Sequence, residues 1–226
     1  MFVRLRMTAN PFTVSPDATV PEAMELMSAK GVRHLPVVDA GRVVGVLSHS
    51  DIAAAGPSRA TTFSAGEINY LLAKLKVAKV MTRDPITISP DALLEEAAVL
   101  MRDHKIEMLP VVDAGKLVGV ITESAILDAF IELLGFRDPG TRLTVDATDA
   151  PGVLSRLTAV TAKHDANIQH LAVYRGEGDR SIVVVGVNSL NTDQIESDLD
   201  AEGFRVLYKL QSDLDAEGFR VLYKLQ

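Results

Sequence analysis

The strongest constraint on the fold of this chain is an internal repeat with a spacing of 74 residues. MTANPFTVSPDA, from Met7, matches MTRDPITISPDA, from Met81, and LPVVDAGRVVGV, from Leu35, matches LPVVDAGKLVGV, from Leu109. About half of the positions from Met7 to Ile52 are identical to their counterparts, without a gap. Self-similarity at one fixed spacing indicates two copies of a single structural unit.

Both copies predict the same order of elements. A short β-prone stretch, Thr13-Val14 or Thr87-Ile88, is followed by Ser-Pro-Asp and then by a helix. In the first copy a capping box from Thr19 to Glu22 opens this helix, and Gly31 closes it. Two β-branched runs joined by Ala-Gly predict paired strands, and a second helix follows. The expected fold class is α/β, with two βαββα units at 1–62 and 63–137. The linker at 53–62 is predicted as loop, and a capping box from Ser64 to Glu67 predicts a helix after it.

A different pattern begins near Thr141, where the repeat stops. Residues 142–147 alternate, a helix follows with Asp149 as the expected N-cap, and two strands flank the turn Gly176–Asp179. A second helix from Asn191 and a strand from Phe204 complete the order βαββαβ. This order is typical of a ferredoxin-like α+β domain, expected at 140–211.

The last fifteen residues, 212–226, copy 197–211 letter for letter. Because natural repeats drift, we interpret the copy as a recent duplication or an artefact, with Gln211 as the expected natural end. The copied letters cover the predicted final helix and edge strand. If the copy is genuine, it could therefore compete for the same position in the sheet.

Composition excludes several functions. The 226 residues are 47% hydrophobic, carry a formal net charge of -7 and include no cysteine. The acidic balance argues against nucleic-acid binding, and the absence of cysteine excludes disulfides, cysteine zinc sites and a cysteine nucleophile. We find neither a signal peptide nor an apolar run long enough to span a membrane, so we expect a cytoplasmic protein.

No catalytic motif is found. The five histidines do not form a metal-binding spacing such as H-E-x-x-H, and neither G-x-S-x-G nor G-x-x-x-x-G-K-[ST] occurs. We therefore predict no catalytic residue, no metal site and no cofactor.

The repeated motifs resemble those of the cystathionine-β-synthase (CBS) domain family. The resemblance rests on the Met-Thr start, the LPVVD strand and the turn Gly45-Val-Leu-Ser48-His-Ser-Asp51. It implies a pseudo-symmetric pair of units with two clefts for adenosine-type ligands. In the first cleft the expected phosphate contacts are Arg33 and His34, and the expected ribose contacts are Ser48 and Asp51. The resemblance places Thr13, Val14 and Pro36 along the adenine ring.

The physical chemistry of these residue types agrees with those roles. Arginine can hold phosphate through two hydrogen bonds, and a carboxylate can accept from both hydroxyls of a ribose. A plain helix cap also accounts for Ser48 and Asp51.

The second copy departs from this pattern. Glu107 and Met108 replace the Arg-His pair, and Ala125 stands where Asp is expected. A carboxylate there would repel phosphate. We predict one competent nucleotide site per chain and a weak second site, whose expected residues are Ile88, Pro110 and Thr122.

The last domain resembles the ACT family. DAPGVL and Ala166-Asn-Ile carry the resemblance, which implies an amino-acid effector site. Its expected residues are Asp149, Ala150, Pro151, Gly152, Val153, Asn167 and Ile168. Ordinary helix-start and strand-entry chemistry explains the same residues equally well.

The whole arrangement resembles the bacterial acetoin-utilisation CBS–ACT proteins. It implies a non-catalytic allosteric regulator that senses AMP, ADP, ATP or a related adenosyl ligand, and that works as a homodimer on an unknown protein target. The alternative is an interaction scaffold that modulates an enzyme or transcription factor of carbon metabolism without a ligand.

Overall fold

A computed structural model describes residues 1–55, 73–215 and 218–224 of the chain. These residues form two compact units, Met1–Leu127 and Asp128–Gln226. Most of the predicted linker and the start of its helix at Ser64 to Glu67 lie outside the described residues.

The first unit contains both copies of the repeat. A 3-10 turn at Val3–Leu5 precedes the first strand. The first copy comprises β1 (Thr8–Ala9), α1 (Val20–Lys30), β2 (His34–Asp39), β3 (Arg42–Ser48) and α2 (His49–Ala55). The second comprises α3 (Val77–Val80), β4 (Thr82–Arg83), α4 (Leu94–His104), β5 (Met108–Asp113), β6 (Lys116–Thr122) and α5 (Glu123–Leu133), which continues into the second unit. The predicted repeated α/β order is confirmed.

Helix α1 begins and ends where the sequence predicts. The Glu22 backbone donates to the Thr19 hydroxyl at 3.4 Å, and the Thr19 backbone donates to the Glu22 carboxylate at 2.7 Å. Gly31 ends the helix with a left-handed φ of 63°, which glycine adopts without strain. In the second copy, Leu93 precedes α4 without a side-chain cap and Lys105 takes the left-handed position.

The two copies exchange their first strands. The sheets have the orders β2-β3-β4 and β1-β6-β5, so each copy contributes its Met-Thr strand to the sheet of the other. Gly45 permits this approach, because a Cβ there would lie 2.6 Å from the Met81 sulfur and 2.9 Å from the Thr82 carbonyl. Gly119 faces Met7 in the equivalent way. Each sheet therefore carries residues of both copies at one edge.

Apolar side chains of the first copy form a core beneath β2 and β3. Met27, Leu35, Val37 and Leu47 are essentially inaccessible to solvent, and Val77 of the second copy packs with them. Burial of such side chains stabilises the unit through the hydrophobic effect, and it fixes the ends of β2 and β3 that lead into the cavities described below.

The second unit confirms the predicted βαββαβ order and adds one strand, β11, after it. Its elements are β7 (Gly140–Thr148), α6 (Val153–Lys163), β8 (Ile168–Arg175), β9 (Arg180–Val187), α7 (Asp193–Ala201), β10 (Arg205–Asp215) and β11 (Gly218–Lys224). The sheet order is β11-β10-β7-β9-β8. Leu143, Val185, Leu157 and Leu199 are fully buried between the sheet and the two helices.

Two expectations for this unit are wrong. Asp149 is not the N-cap of α6, because Gly152 holds that position with φ 85°, while the Asp149 backbone donates to the Asp179 carbonyl at 2.6 Å. The duplicated segment also does not compete for the position of β10. Ser212 to Asp215 extend β10, and β11 pairs beside it as an added antiparallel strand.

Candidate functional site

Two cavities lie where the exchanged strands meet the ends of β3 and β6. We call the first the Asp51 cavity, which has a volume of about 420 Å³ and is lined by Ser48 and Asp51. The second, the Arg33 cavity, has a volume of about 310 Å³ and is lined by Arg33 and Thr122. Both are large enough for part of a nucleoside and open at the surface.

Both copies build the Asp51 cavity. The first copy contributes His34, Val46, Ser48, Ser50 and Asp51, from β2, β3 and the first turn of α2. The second contributes Thr82, Asp84, Pro85, Ile86, His104, Lys105, Ile106, Glu107 and Met108. Because β4 pairs with β3, the loop after β4 faces the helix start that carries Asp51.

Asp51 has one carboxylate oxygen engaged in capping α2. Its Oδ2 accepts from the Ser48 backbone at 2.8 Å and from the Ser48 hydroxyl at 2.6 Å. The Asp51 backbone donates back to the Ser48 hydroxyl at 3.1 Å. Among the described residues, no hydrogen bond is recorded to Oδ1. The capping role is therefore real, and it fixes the orientation of a carboxylate that lines the cavity.

The Arg33 cavity is the equivalent space on the second copy. The start of the first copy contributes Thr8, Asn10, Pro11 and Phe12, and the end of α1 leads into Arg33. At the ribose position the Ala125 backbone donates to the Thr122 hydroxyl at 3.3 Å. Alanine supplies no carboxylate at the position equivalent to Asp51, although Glu107 and Glu123 line this cavity together with Arg33.

A shared wall separates the two cavities. His34, Glu107 and Met108 line both of them. The His34 Nε2 lies 3.6 Å from the Glu107 Oε2, and the histidine side chain is 17% exposed. Burial lowers the pKa of His34 below its usual value of 6.5. Glu107 and Asp51 oppose this shift, while Arg33 and His49 reinforce it. His34 is therefore neutral near pH 7.

Lowering the pH is expected to tighten binding of a phosphate ligand through His34. A phosphate beside the imidazole favours the protonated form, so AMP binding should take up a proton and strengthen severalfold between pH 8 and pH 6. Calorimetry in buffers of different ionisation enthalpy measures this proton uptake. In His34→Gln the additional uptake should disappear, whereas His164→Gln, a control in the other unit, should keep it.

The same shift sets the sign for stability without ligand. The unfolded chain binds the His34 proton near pH 6.5 and the folded chain only at lower pH. Stability from the neutral imidazole is therefore present above pH 6.5 and lost as the pH falls towards the folded pKa. The effect of pH on AMP affinity is thus distinct from its effect on the stability of the ligand-free protein. Between pH 8 and pH 6 the affinity for AMP should rise while the stability of the ligand-free protein does not.

The structure divides the residues expected in the first cleft. Ser48 and Asp51 lie in the Asp51 cavity, Arg33 and Pro36 lie in the Arg33 cavity, and His34 lines both. The phosphate and ribose residues of one copy thus face opposite clefts, in contrast to the expected grouping on the first copy. Each cavity is completed by residues of the second copy, since Asp84 and Pro85 line the Asp51 cavity, whereas Thr122 and Glu123 line the Arg33 cavity.

The remaining residues expected at the two nucleotide sites line neither the Asp51 cavity nor the Arg33 cavity. Val14 is 8% exposed and pairs with Val37, and Ile88 is 7% exposed and pairs with Val111. Pro110 is buried in β5. Thr13 lines a third cavity of about 900 Å³, together with Thr87, Arg42 and Lys116.

Sequence reasoning missed the residues that the second copy supplies to the Asp51 cavity. Asp84, Pro85 and Ile86 come from the loop after β4, and Lys105 ends α4. The repeat itself held the available signal, because two-fold packing of identical units brings the start of one copy to the end of the other.

The residues expected to bind an amino acid in the second unit lie in two places, before and at the start of α6 and, for Asn167 and Ile168, at the start of β8. Asp149 to Gly152 form an exposed loop, whereas Val153 is buried in the core. The Asn167 backbone donates to the Asn188 side chain at 2.9 Å. This hydrogen bond gives Asn188 a structural role at the start of β8. The cavity described in this unit lies elsewhere, near Gly140 and His170, and its volume is about 20 Å³.

Two features are absent from the part of the chain that the structure describes. No cluster of three or more His, Cys, Asp or Glu side chains is arranged to hold a metal ion. No helix in the described ranges is long and apolar enough to cross a membrane.

Comparison with known proteins identifies the domains. A CBS domain model matches residues 3–58 and 77–132, and a TTHA0829-like ACT domain model matches residues 139–209. The CBS domain-containing protein YhcV of Bacillus subtilis is 33% identical over 142 residues, which cover 63% of this chain and 92% of that protein. The chain therefore belongs to the CBS-domain proteins, as a tandem CBS pair followed by an ACT-like domain.

Other relatives match part of this chain, and this chain spans about a third of the enzyme named first. The inosine-5'-monophosphate dehydrogenase of Korarchaeum cryptofilum is 32% identical over 73% of this chain, and the match covers 32% of that enzyme. A structure assigned to acetoin utilization, AcuB of Vibrio cholerae, is 34% identical with a TM-score of 0.50, covering 61% of this chain and 96% of that one. CBSX2, solved in complex with AMP, is 34% identical with a TM-score of 0.49, covering 58% and 97%.

Proposed function

We propose that this protein is a non-catalytic regulator that senses an adenine nucleotide through its CBS pair. The observation that carries the proposal is Asp51, a carboxylate fixed at a strand-to-helix junction that lines a cavity of about 420 Å³. A ribose there has an acceptor for its hydroxyls. Lys105 lines the same cavity as a cation for phosphate, and Arg33 offers a second cation in the adjoining cavity.

The shared construction of the cavities suggests how binding is transmitted. A ligand in the Asp51 cavity touches α2 of the first copy and the loop after β4 of the second. It therefore favours the arrangement in which these elements are correctly spaced, and this differential affinity shifts the conformational population. We further propose a cytoplasmic homodimer, an allosteric role in acetoin or related carbon metabolism, and an amino acid as effector of the ACT-like domain.

A ligand screen on the full chain tests the proposal. Thermal unfolding is followed with AMP, ADP, ATP, S-adenosylmethionine, NADH and amino acids. A ligand at a hundred times its Kd stabilises the folded state by about 2.7 kcal/mol, so an adenine compound should raise the Tm by several degrees. If the folded protein responded to no adenosine compound, nucleotide sensing would be wrong.

One observation favours the scaffold as a second candidate. Leu127, Phe130 and Leu133 on α5 are 55%, 55% and 67% exposed, and apolar side chains exposed together often mark protein contacts. A scaffold would show no ligand response in the screen. ATP turnover by the purified protein would contradict both candidates.

A further inference from the structure

The duplicated segment pairs with the segment from which it was copied. Strands β10 and β11 lie antiparallel, and both contain the letters RVLYK, at 205–209 and 220–224. The sheet therefore contains two neighbouring strands that share a five-residue sequence.

Their register is symmetric. Lys209 lies opposite Lys224, which is its own copy. Leu210 lies opposite Tyr223, the copy of Tyr208, and Gln211 lies opposite Leu222, the copy of Leu207. Each residue after Lys209 thus faces the copy of a residue equally far before it. Two identical strands related by a two-fold axis make this same pairing.

Without β11, β10 would be an edge of the sheet. Its inner side pairs with β7 from Arg205 opposite Asp146 to Ser212 opposite Gly140, and its outer side pairs with β11. An open edge presents unpaired backbone donors and acceptors to any strand of matching register.

Burial explains why the copied helix letters become a strand. At 197–201 the letters SDLDA form the end of α7, where Leu199 is fully buried under the sheet. That site is already filled, so the second SDLD has no equivalent core to enter. Continuing β10 instead satisfies its backbone groups through sheet pairing.

We propose that β10 is a self-recognising edge whose partner is a second copy of its own sequence, and that the duplicated segment supplies this partner from within one chain. The tail then stands in for a second protomer. When β11 is absent, β10 of another molecule takes the same register, centred on Lys209. This inference does not depend on nucleotide binding.

Disulfide trapping tests the register, because the chain contains no cysteine. Tyr208→Cys and Leu210→Cys are introduced together into the full chain and into a chain shortened after Gln211. In the proposed dimer, position 208 of one molecule faces position 210 of the other. We expect about fivefold more covalent dimer after oxidation of the shortened chain than of the full chain, since opposed Cβ atoms lie about 4.5–5.5 Å apart.

A displaced pair is the matched control. Val206→Cys with Leu210→Cys puts the two cysteines on diagonal positions about 7–8 Å apart, so trapping in the shortened chain should fall back to the level of the full chain. The proposal is overturned if the shortened, folded protein traps no more dimer than the full chain, or if both cysteine pairs trap equally. If the shortened chain does not fold, the full-length variant Leu222→Pro takes its place, because proline removes a backbone donor from β11. The same trapping results are then expected for both cysteine pairs.

Discussion

Replacing Asp51 by alanine is expected to weaken binding of any adenosine ligand by about tenfold to a hundredfold. The substitution removes the carboxylate oxygen beside the cavity, and hydrogen bonds to a charged group contribute about 1.5–3 kcal/mol. The loss should be similar for adenosine and AMP, because the ribose is common to both. Titration calorimetry on the full chain measures the two affinities.

Asp51 also caps α2, so its loss lowers stability independently of any ligand. The chain offers a matched control in Glu22, which caps α1 through Thr19 with the same set of hydrogen bonds. Glu22 lines none of the cavities described above. Glu22→Ala should therefore lower the Tm to a similar extent and leave the ligand affinity unchanged. Equal loss of affinity in both variants would reduce Asp51 to a helix cap.

Neutralising Glu107 is expected to strengthen binding of phosphate ligands by about tenfold. Its side chain lines both cavities. Two like charges about 4 Å apart repel each other by about 1 kcal/mol in water and by more near a protein surface. Glu107→Gln keeps the size of the side chain and removes the charge. The affinity for AMP should rise, and the affinity for uncharged adenosine should stay the same, so the AMP-to-adenosine ratio reports the charge directly.

A change in overall charge must be separated from this local effect. Glu25→Gln alters the net charge by the same amount on an exposed position of α1, away from the cavities. It should leave the AMP-to-adenosine ratio unchanged. If Glu107→Gln also left the ratio unchanged, the phosphate would not lie near the shared wall, and the role of Arg33 in the adjoining cavity would lose its support.

Much of the local structure could be predicted from the residues. The Thr19 capping box and the Gly31 helix end follow from short-range chemistry, and the structure contains both. The strands from LPVVD onward follow from β-branched runs around a turn. The start of α6 was predicted wrongly at Asp149 because Asp, Pro and Gly all favour helix entry, and only the pairing with Asp179 decided among them.

The grouping of the site residues required the fold. Arg33 and Asp51 belong to one copy and are close in sequence, yet they line different cavities. Each cavity is completed by residues of the second copy, which lie far from Arg33 and Asp51 in the sequence. Such pairing over long sequence separations leaves no local signal.

The sequence alone determined that this chain carries two copies of one unit and a βαββαβ domain, because periodicity and turn chemistry act over a few residues. The tertiary structure decided which secondary structure each of the two identical SDLD segments adopts. SDLD is helical at 197–200, where Leu199 finds a core, and extended at 212–215, where a sheet edge is open and that core is already filled. Local propensity is similar for both segments, so burial and backbone pairing make the difference.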